Sequence, residues 1–449
     1  MLEVAGTVPT KPVVRTAALD KPAVPDDAMW PRVTREVADD LAADAIARDR
    51  AGKPPYDEVA RLREAGLPAL LTPPALLGRG LTDPGASLDP DGHGGRGGHG
   101  GADWRTATAV IREIAAADGS IGELIARHYV LSWSSRFFGA HGEDLAAGHE
   151  PPALAHGRLL GGATDIPDPE AGPGLTLSPT ASGHLLNGSR TFAAGVTVAD
   201  RLVVGATSTH TGELLIALVN PAHPGVLAGT DNDRLGQRLT GAGSVDFDNV
   251  PVGAGDILGA TPRDEHAVSA YTALAPLALR LVLSHVALGI AEGALAEARD
   301  VSRAARPAPR SAAPDAATYA VRPSGDPYLL LAYGELATAA HTAAAVVERA
   351  TDALEQGLRT GRDIGMDERA EIAVLVAAAE AVTGRSAVDI TTRILELTEA
   401  ATSFDGGPAL DRFWRNARAL TAQSSPAHRL RDIGDHYLNG THPPFTARS

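Results

Sequence analysis

The chain has 449 residues, contains no cysteine and carries a formal net charge of -15 at pH 7. The absence of cysteine excludes disulfides, thiolate metal sites and cysteine nucleophiles, and the acidic balance argues against general nucleic-acid binding, which needs a basic face. Hydrophobic residues make up 44% of the chain and aromatic residues only 4%, which predicts a large core of alanine, leucine and valine and favours helices.

The first part of the chain shows helical periodicity after an irregular start. Residues 1–28 have no helical period, so we expect a loose tail there. Apolar residues at i+4 spacing from Val33 to Leu41 predict a helix, and Pro54 ends it. Further helical segments extend this pattern and predict an N-terminal helical domain over residues 29–154.

A glycine- and histidine-rich insertion interrupts this domain at residues 82–102. Seven glycines lie between positions 92 and 101, and such a stretch cannot bury enough surface to order itself. His93 and His99 could approach a metal ion, but a flexible segment does not preorganise ligands. We therefore expect a surface insertion and predict no metal site.

The pattern changes to short β-rich runs between residues 155 and 264. Glycine, asparagine and proline turns separate the runs, as in an antiparallel sandwich or barrel. The clearest runs cover residues 202–204, 214–219 and 244–247. We predict a central antiparallel β domain here.

Long helical patterns return over residues 265–449. The predicted helices cover about 266–304, 326–358, 367–401 and 408–421. Four helices with short connections indicate an antiparallel bundle. No apolar run approaches the roughly 20 residues that a membrane helix needs, and no signal peptide is evident. The expected protein is cytoplasmic and does not bind a membrane.

The last forty residues place aromatic rings beside fixed positive charge. Residues 411–418 read Asp-Arg-Phe-Trp-Arg-Asn-Ala-Arg, so Phe413 and Trp414 lie among three arginines, the last of which is Arg418. Flat apolar surface next to positive charge suits a flat anionic cofactor such as a flavin phosphate. We expect both rings to be core residues, with the arginines supplying the charge.

The order of helices, β domain and bundle resembles the acyl-CoA dehydrogenase fold across nearly the whole chain. Three local motifs strengthen the resemblance: residues 186–200 around Asn187-Gly188, residues 235–252 around Gly236-Gln237-Arg238, and residues 287–294. The resemblance implies an α+β, mainly α fold with an N-terminal helical domain, a central antiparallel β domain and a C-terminal four-helix bundle. The spelling of residues 411–440 is similar to the flavin-dependent monooxygenases of this fold, in particular the dibenzothiophene monooxygenase branch.

An FAD-dependent acyl-CoA dehydrogenase is the alternative within this fold. Such enzymes need a carboxylate base to remove a proton from the substrate. In this sequence Gly406 and Leu279 occupy the two positions where the fold family places that base, although Asp405 is adjacent to the first. Both positions lack the carboxylate, which favours the monooxygenase branch.

The monooxygenase resemblance implies a two-component enzyme. A separate reductase would supply FMNH2, and oxygen would form a flavin C4a-hydroperoxide that oxidises a small aromatic or S/N-containing molecule in a dry site. Phe192 would lie against the isoalloxazine, the Thr164 region would bond its edge, and Arg306 would meet the phosphate, with Arg418 and Ser424 nearby. The resemblance further implies a homotetramer with the bundles at its centre.

The sequence departs from the pattern of this branch at four positions around the expected ring. Gln423 replaces a histidine that would hold or protonate the hydroperoxide, and glutamine cannot shuttle a proton at neutral pH. Ala194 replaces a serine, Asn232 a tryptophan, and Arg127 an aromatic residue. His128 follows Arg127 and is the remaining acid–base candidate, since its pKa lies in the useful range.

These changes leave two interpretations open. In the first, the chain is a monooxygenase with a remodelled pocket for a polar substrate, in which Arg127 pairs with an anionic group. In the second, the fold is retained by a flavin-free or non-redox enzyme, or by a partner subunit.

Overall fold

The computed structural model describes residues 29–72, 103–139, 157–165, 174–230, 233–304, 325–398, 409–422 and 426–444. The loose tail expected at residues 1–28 and the insertion expected at 82–102 lie outside these residues, as does Asp405 with Gly406.

Five α-helices lie in the described N-terminal part: α1 Met29–Ala51, α2 Tyr56–Glu64, α3 Trp104–Ala117, α4 Gly119–Ser132 and α5 Ser134–Phe138. Asp118 separates α3 from α4, and its carboxylate accepts hydrogen bonds from the backbone N–H groups of Ser120 and Ile121. This cap satisfies the first turn of α4, a helix that is buried on almost every side. Helix α4 is thereby fixed as an internal wall of the molecule.

The described residues of the β domain form one eight-stranded sheet. Its strands are β1 Leu160–Ala163, β2 Thr176–Thr180, β3 Gly183–Phe192, β4 Arg201–Ser208, β5 Leu214–Val219, β6 Val226–Thr230, β7 Gly243–Gly253 and β8 Ile257–Thr261. Their order is β6-β7-β3-β2-β4-β5-β8, and β1 pairs with β4. The pairs β1–β4 and β2–β4 are parallel, so the sheet is mixed where the sequence predicted a purely antiparallel one.

Strand β1 matters for the site because only one of its edges is paired within the described residues. It pairs with β4 from Leu160 to Ala163, and Gly162 and Ala163 also line the cavity. Gly162 has φ 110°, and a Cβ there would collide with the carbonyl oxygen of Val203. Glycine is therefore required for β1 to approach β4 this closely.

Three long helices form the body of the C-terminal domain: α6 Leu274–Ala304, α7 Pro327–Thr360 and α8 Met366–Leu397. Two shorter helices, α9 Asp411–Thr421 and α10 Pro426–Asn439, pack on α8. Helix α6 also packs on α3, because Gly289 and Gly293 let the backbones approach until a Cβ at either position would collide with an α3 carbonyl. The helix predicted over 408–421 is observed as α9, and the further short helix α10 follows it.

Helices α6 and α7 are long and apolar enough to cross a membrane by length and composition alone, which differs from the expectation that no apolar run reaches that length. In α6, 78% of the most apolar window is buried inside the protein, as in the core helix of a bundle. In α7 the buried share is only 33%, and Tyr328, Leu330 and Leu331 at its start are exposed.

One large hydrophobic core joins the helical domains and reaches the sheet. It contains residues from α1, α3, α4, α6, α7, α8 and α9, together with Val203 and Ile216 of the sheet. A second core fills the inside of the β domain around Leu177, Val245 and Phe247. The cavity described next lies where these layers meet.

Candidate active site

A cavity of about 950 Å³ opens between the β domain, α4 and the C-terminal helices. Its volume lies at the upper end of the roughly 300–1,000 Å³ that small-molecule sites occupy, so it can hold a cofactor together with a small substrate. Three parts of its wall differ in chemistry: a strand wall, a basic rim and an apolar end.

The strand wall is made by the free edge of β1 and the end of β3. Gly162, Ala163 and Thr164 line the cavity from β1, and Thr191 and Phe192 line it from β3. Phe192 is 1% exposed and its ring faces the guanidinium of Arg190 at 5.3 Å. Phe192 is therefore held rigidly at the wall by the β-domain core, with little exposed surface of its own, and residues 162–164 line the cavity beside it.

The basic rim is formed by helices α6, α8, α9 and α10. Its members share a guanidinium group that lines the cavity: Arg280, Arg369, Arg385, Arg418 and Arg429. Two carboxylates, Glu380 and Asp389, line the same region. Five positive charges against two negative ones leave the rim electropositive, which suits an anionic group.

Ion pairing neutralises only part of this rim. Arg280 Nε lies 2.7 Å from Glu380 Oε2, and Arg429 Nε lies 3.4 Å from the same oxygen. Arg369 donates from both terminal nitrogens to the carbonyl oxygen of Pro443 at 2.8 Å. Two buried donors, Nη2 of Arg280 and Nε of Arg369, have no hydrogen-bond partner among the described residues.

The electrostatics of these two arginines favour an anionic ligand. Burial lowers the pKa of Arg280, Glu380 offsets this only in part, and the charge of Arg429 lowers it further. Burial also lowers the pKa of Arg369, and the charge of Arg280 adds to that effect. A buried cation without full compensation is unfavourable, and a bound phosphate would stabilise both groups.

The apolar end lies between α4 and α6. Its side chains are Val130, Leu131, Phe138, Leu214, Leu277, Leu279 and Leu283. Arg127 interrupts this surface, and its Nε donates to Glu123 Oε1 at 2.7 Å in a pair that is 11% and 0% exposed. The charge predicted at position 127 is therefore present at the cavity wall, with Glu123 as its ion-pair partner.

His128 does not line the cavity. Its Nε2–H donates to the carbonyl oxygen of Pro68 at 2.8 Å, and its Nδ1 accepts from the N–H of Leu160 at 3.0 Å. Burial lowers its pKa to about 4. With both ring nitrogens bonded to backbone, His128 links the segment after α2 to β1, and we interpret it as a structural residue instead of the predicted acid–base group.

The other predicted site residues separate into three groups. Thr164, Phe192, Arg127 and Arg418 line the cavity. Ala194 does not, because it packs with Val59, Leu124, Leu159 and Val198 in a small apolar cluster. Asn232, Arg306, Gln423 and Ser424 lie outside the described residues.

Sequence reasoning missed most of the basic rim. Arg280 and Arg369 are buried or nearly so on apolar helices, and a charged residue inside an apolar helical stripe is the signal that could have identified them.

The arginines of residues 411–418 serve different purposes. Arg412 pairs with Glu297 of α6, and Arg415 pairs with Asp49 of α1 and with Asp411. Only Arg418 faces the cavity. Phe413 is a core residue, as predicted, and it packs under the guanidinium of Arg412 at 4.1 Å. The aromatic and basic motif thus mainly anchors α9.

FMN fits the residues that are present. The rigid wall formed by Phe192 and residues 162–164 suits a flat heterocycle, and the unpaired donors of Arg280 and Arg369 suit a phosphate. A dehydrogenase base fits less well, since position 279 is leucine. Of the carboxylates lining the cavity, Asp165 pairs with Arg190, Glu380 pairs with Arg280, and Asp389 is exposed on α8.

Comparison with known proteins agrees with this geometry. Residues 281–425 match the family described as acyl-CoA dehydrogenase, C-terminal domain. The dibenzothiophene monooxygenase of Rhodococcus qingshengii is 31% identical over 92% of this chain and 93% of its own length. A probable FMNH2-dependent monooxygenase of Pseudomonas putida is 28% identical over 92% of this chain and 95% of its own length.

A solved structure shows the same fold. The dibenzothiophene monooxygenase of Paenibacillus sp. A11-2, in complex with FMN and indole, superposes with a TM-score of 0.79 at 28% identity and covers 94% of this chain and 100% of its own. These similarities confirm the fold class and the family expected from the sequence. The chain belongs to the flavin-dependent monooxygenases that are built on the acyl-CoA dehydrogenase fold and include the dibenzothiophene monooxygenases.

Proposed function

We propose that this chain is a two-component, FMNH2-dependent monooxygenase that oxidises a small aromatic or sulfur- or nitrogen-containing molecule. The observation that supports this most directly is the single cavity that joins the aromatic wall of Phe192 to the electropositive rim. Reduced FMN, when bound, activates molecular oxygen, and the residues of the chain bind and orient the reactants around it.

Each part of the wall has a role in this proposal. Phe192 supports the flat ring on one face, and the backbone of Gly162–Thr164 meets its polar edge. In the proposal Arg280, Arg369 and Arg418 hold the phosphate, because charge-assisted hydrogen bonds to phosphate are stronger than neutral ones. This division places the ring against the sheet and the phosphate near the C-terminal helices.

The apolar end would receive the substrate. Leucine side chains from α4 and α6 exclude water there, which protects the oxygenating step from loss as hydrogen peroxide. This surface is mainly apolar, with Arg127 as a polar group at its edge, so the preferred substrate in the proposal has an apolar body. Dibenzothiophene and indole are the first compounds to test, since the relatives are named for the former or bind the latter.

The proposal includes partners and assembly. A separate reductase would supply FMNH2 to this chain, since the Pseudomonas putida relative is described as a probable FMNH2-dependent monooxygenase. We further propose a cytoplasmic homotetramer in which the exposed apolar start of α7, around Tyr328, Leu330 and Leu331, meets another subunit.

The test is a titration of the purified chain with FMN and FAD, oxidised and anaerobically reduced, followed by absorbance and fluorescence. We expect reduced FMN to bind with micromolar affinity and more tightly than the other forms. A reductase-coupled assay with dibenzothiophene and with indole then compares product with hydrogen peroxide. Failure of every flavin form to bind would contradict the proposal and favour a flavin-free protein on this fold.

A further inference from the structure

The segment 234–240, which we call the junction loop, lies between the two walls that the cofactor is proposed to contact. On one side it bonds to α9, the helix that supplies Arg418 to the basic rim. On the other side it bonds to Ala193, the residue after Phe192 at the end of β3. The loop therefore links the aromatic wall to one part of the rim.

Two side chains of α9 bond to the loop, and the shorter bond is that of Asn416, since Arg415 Nη1 donates to the carbonyl oxygen of Leu235 at 3.3 Å. Asn416 Oδ1 accepts a hydrogen bond from the backbone N–H of Gln237 at 2.7 Å, and Asn416 is 5% exposed. Next to it the loop has no room for a side chain. A Cβ at Gly236 would collide with the carbonyl oxygen of Arg415 and would lie 2.7 Å from the backbone nitrogen of Asn416.

The bond to the strand wall is made through Thr240. Its hydroxyl contacts two carbonyl oxygens, those of Ala193 at 2.9 Å and Gln237 at 3.1 Å. Arg234 Nη1 approaches the Ala193 carbonyl at 3.3 Å and the Thr240 hydroxyl at 3.2 Å. The backbone N–H of Gly195 donates to the Thr240 carbonyl at 2.8 Å.

Gln237 joins the two sets of bonds through its own backbone. Its N–H points to Asn416, and its C=O points to Thr240. To do so it adopts φ 55°, which is unfavourable for a residue with a side chain. Its fully buried amide has no partner for either polar atom among the described residues. Such an unfavourable arrangement persists only when the surroundings require it, as at functional sites.

We propose that Asn416 and the junction loop are positioning elements that set the spacing between the Phe192 wall and Arg418. This inference rests on the proposed function, in which FMN contacts both the Phe192 wall and Arg418. Asn416 acts through Arg418 and is not itself placed at the cavity, since it faces the loop. A small displacement of α9 would therefore weaken cofactor binding without removing any group that touches the cofactor.

Three substitutions test the loop from different sides. Asn416→Leu removes the acceptor at similar volume, Gly236→Ala inserts a methyl group between the loop and α9, and Thr240→Val removes the bond to Ala193. We expect each to raise the dissociation constant of reduced FMN about tenfold, on the basis that misplacement of about 1 Å at a binding site has large effects. Thr240→Val tests the loop even if the two substitutions at the α9 interface prevent folding.

The matched variants separate positioning from stability. Asn416→Asp keeps an acceptor oxygen for the Gln237 N–H, so binding within about threefold of wild type is expected. Thr351→Val removes a buried hydrogen bond to His285 in the bundle, so it lowers the melting temperature without touching the loop. We expect its affinity for reduced FMN to equal that of wild type. The Michaelis constant for FMNH2 should rise in the three loop variants more than kcat falls.

Two results would overturn the inference. Unchanged reduced-FMN binding by the folded loop variants would overturn it alone, provided that wild type binds. Loss of binding in Asn416→Asp equal to that in Asn416→Leu would also overturn it, because the acceptor would then be irrelevant. If wild type binds no reduced FMN, the proposed function fails together with the inference.

Discussion

Arg418 and Arg385 are the two rim arginines whose side chains are exposed and have no ion pair among the described residues. Arg280 and Arg429 share Glu380, and Arg369 is bonded to a carbonyl oxygen. A free guanidinium contributes its charge to an incoming phosphate without first breaking another pair. The rim therefore combines arginines that are held in place with arginines that can move onto the ligand.

Arg418→Gln should weaken binding of reduced FMN about tenfold to hundredfold, because one charge-assisted hydrogen bond to phosphate contributes about 1.5–3 kcal/mol. Stability should change little, since the side chain is exposed. Isothermal titration at two salt concentrations measures the effect. Arg393→Gln is the control, because Arg393 lies on α8 outside the cavity lining and pairs with Glu335. Equal losses in both variants would argue for a general charge effect.

Two buried histidines predict how stability depends on pH. Burial lowers the pKa of His128 to about 4 and that of His285 to about 3. Both are neutral in the folded chain and become protonated on unfolding below their ordinary pKa of about 6.5. Their contribution to stability is therefore complete above pH 6.5 and is lost as the pH falls, by about 3 kcal/mol each at pH 4.

His285→Gln tests this dependence, since glutamine can still donate to Thr351 but does not titrate. Denaturant unfolding between pH 7.5 and pH 4 should show a shallower loss of stability in the variant than in wild type. Parallel pH profiles for the two proteins would contradict the assignment of the acid sensitivity to His285.

At the level of secondary-structure elements, the close contact between α3 and α6 depends on glycine. A Cβ at Gly293 would collide with the carbonyl oxygen of Ala116 in α3. Gly293→Ala should therefore cost about 1–3 kcal/mol through overpacking, despite the higher helix propensity of alanine. Thermal unfolding measures the cost.

Gly334 in α7 is the matched position for this comparison. Nothing lies within 4 Å of a Cβ placed there, and Gly334 is inside a helix. Gly334→Ala should stabilise the chain by about 0.5–1 kcal/mol through helix propensity alone. If both substitutions changed stability in the same direction, the contact of α6 with α3 would not explain the result.

The elements that the sequence predicted well are those defined by local periodicity. The helices that contain Val37 and Leu288 could be predicted because their apolar residues recur every three or four positions. The parallel pairing of β1 and β2 with β4 could not be predicted, because it joins segments about 30–40 residues apart and has no local signature.

Site residues also divide into those that the local sequence could predict and those that required the fold. Phe192 was predicted from its motif and lies at the cavity, whereas Ala194, two residues later, lies after the strand and packs elsewhere. Arg127 lies at the cavity and the adjacent His128 faces the backbone of Pro68, since neighbouring helical residues differ by about 100° in direction. Sequence resemblance located the region, and the direction of each side chain required the fold.

For the whole molecule, the exposed apolar start of α7 is the basis of the tetramer proposal. Tyr328 is 82% exposed and Leu331 is 62% exposed, although both belong to a helix of mixed polarity. Leu331→Glu should therefore shift the assembly toward smaller species in analytical ultracentrifugation. Leu227→Glu is the control, since Leu227 is equally exposed on β6 of the β domain. Smaller species from the control and not from Leu331→Glu would place the interface on the β domain.

Helix α9 also determines which parts of this chain can be exchanged between relatives. It bonds to Asp49, Gln237 and Glu297, three positions that are far apart in sequence and belong to different domains. Side chains in direct contact tend to vary together, so the ion pairs 49–415 and 297–412 should show correlated substitution across the family, whereas position 237 contributes only its backbone N–H to Asn416. A chimera that imports the N-terminal helices of a relative must therefore import the matching α9 as well, because Asp49 and Arg415 form an ion pair between them.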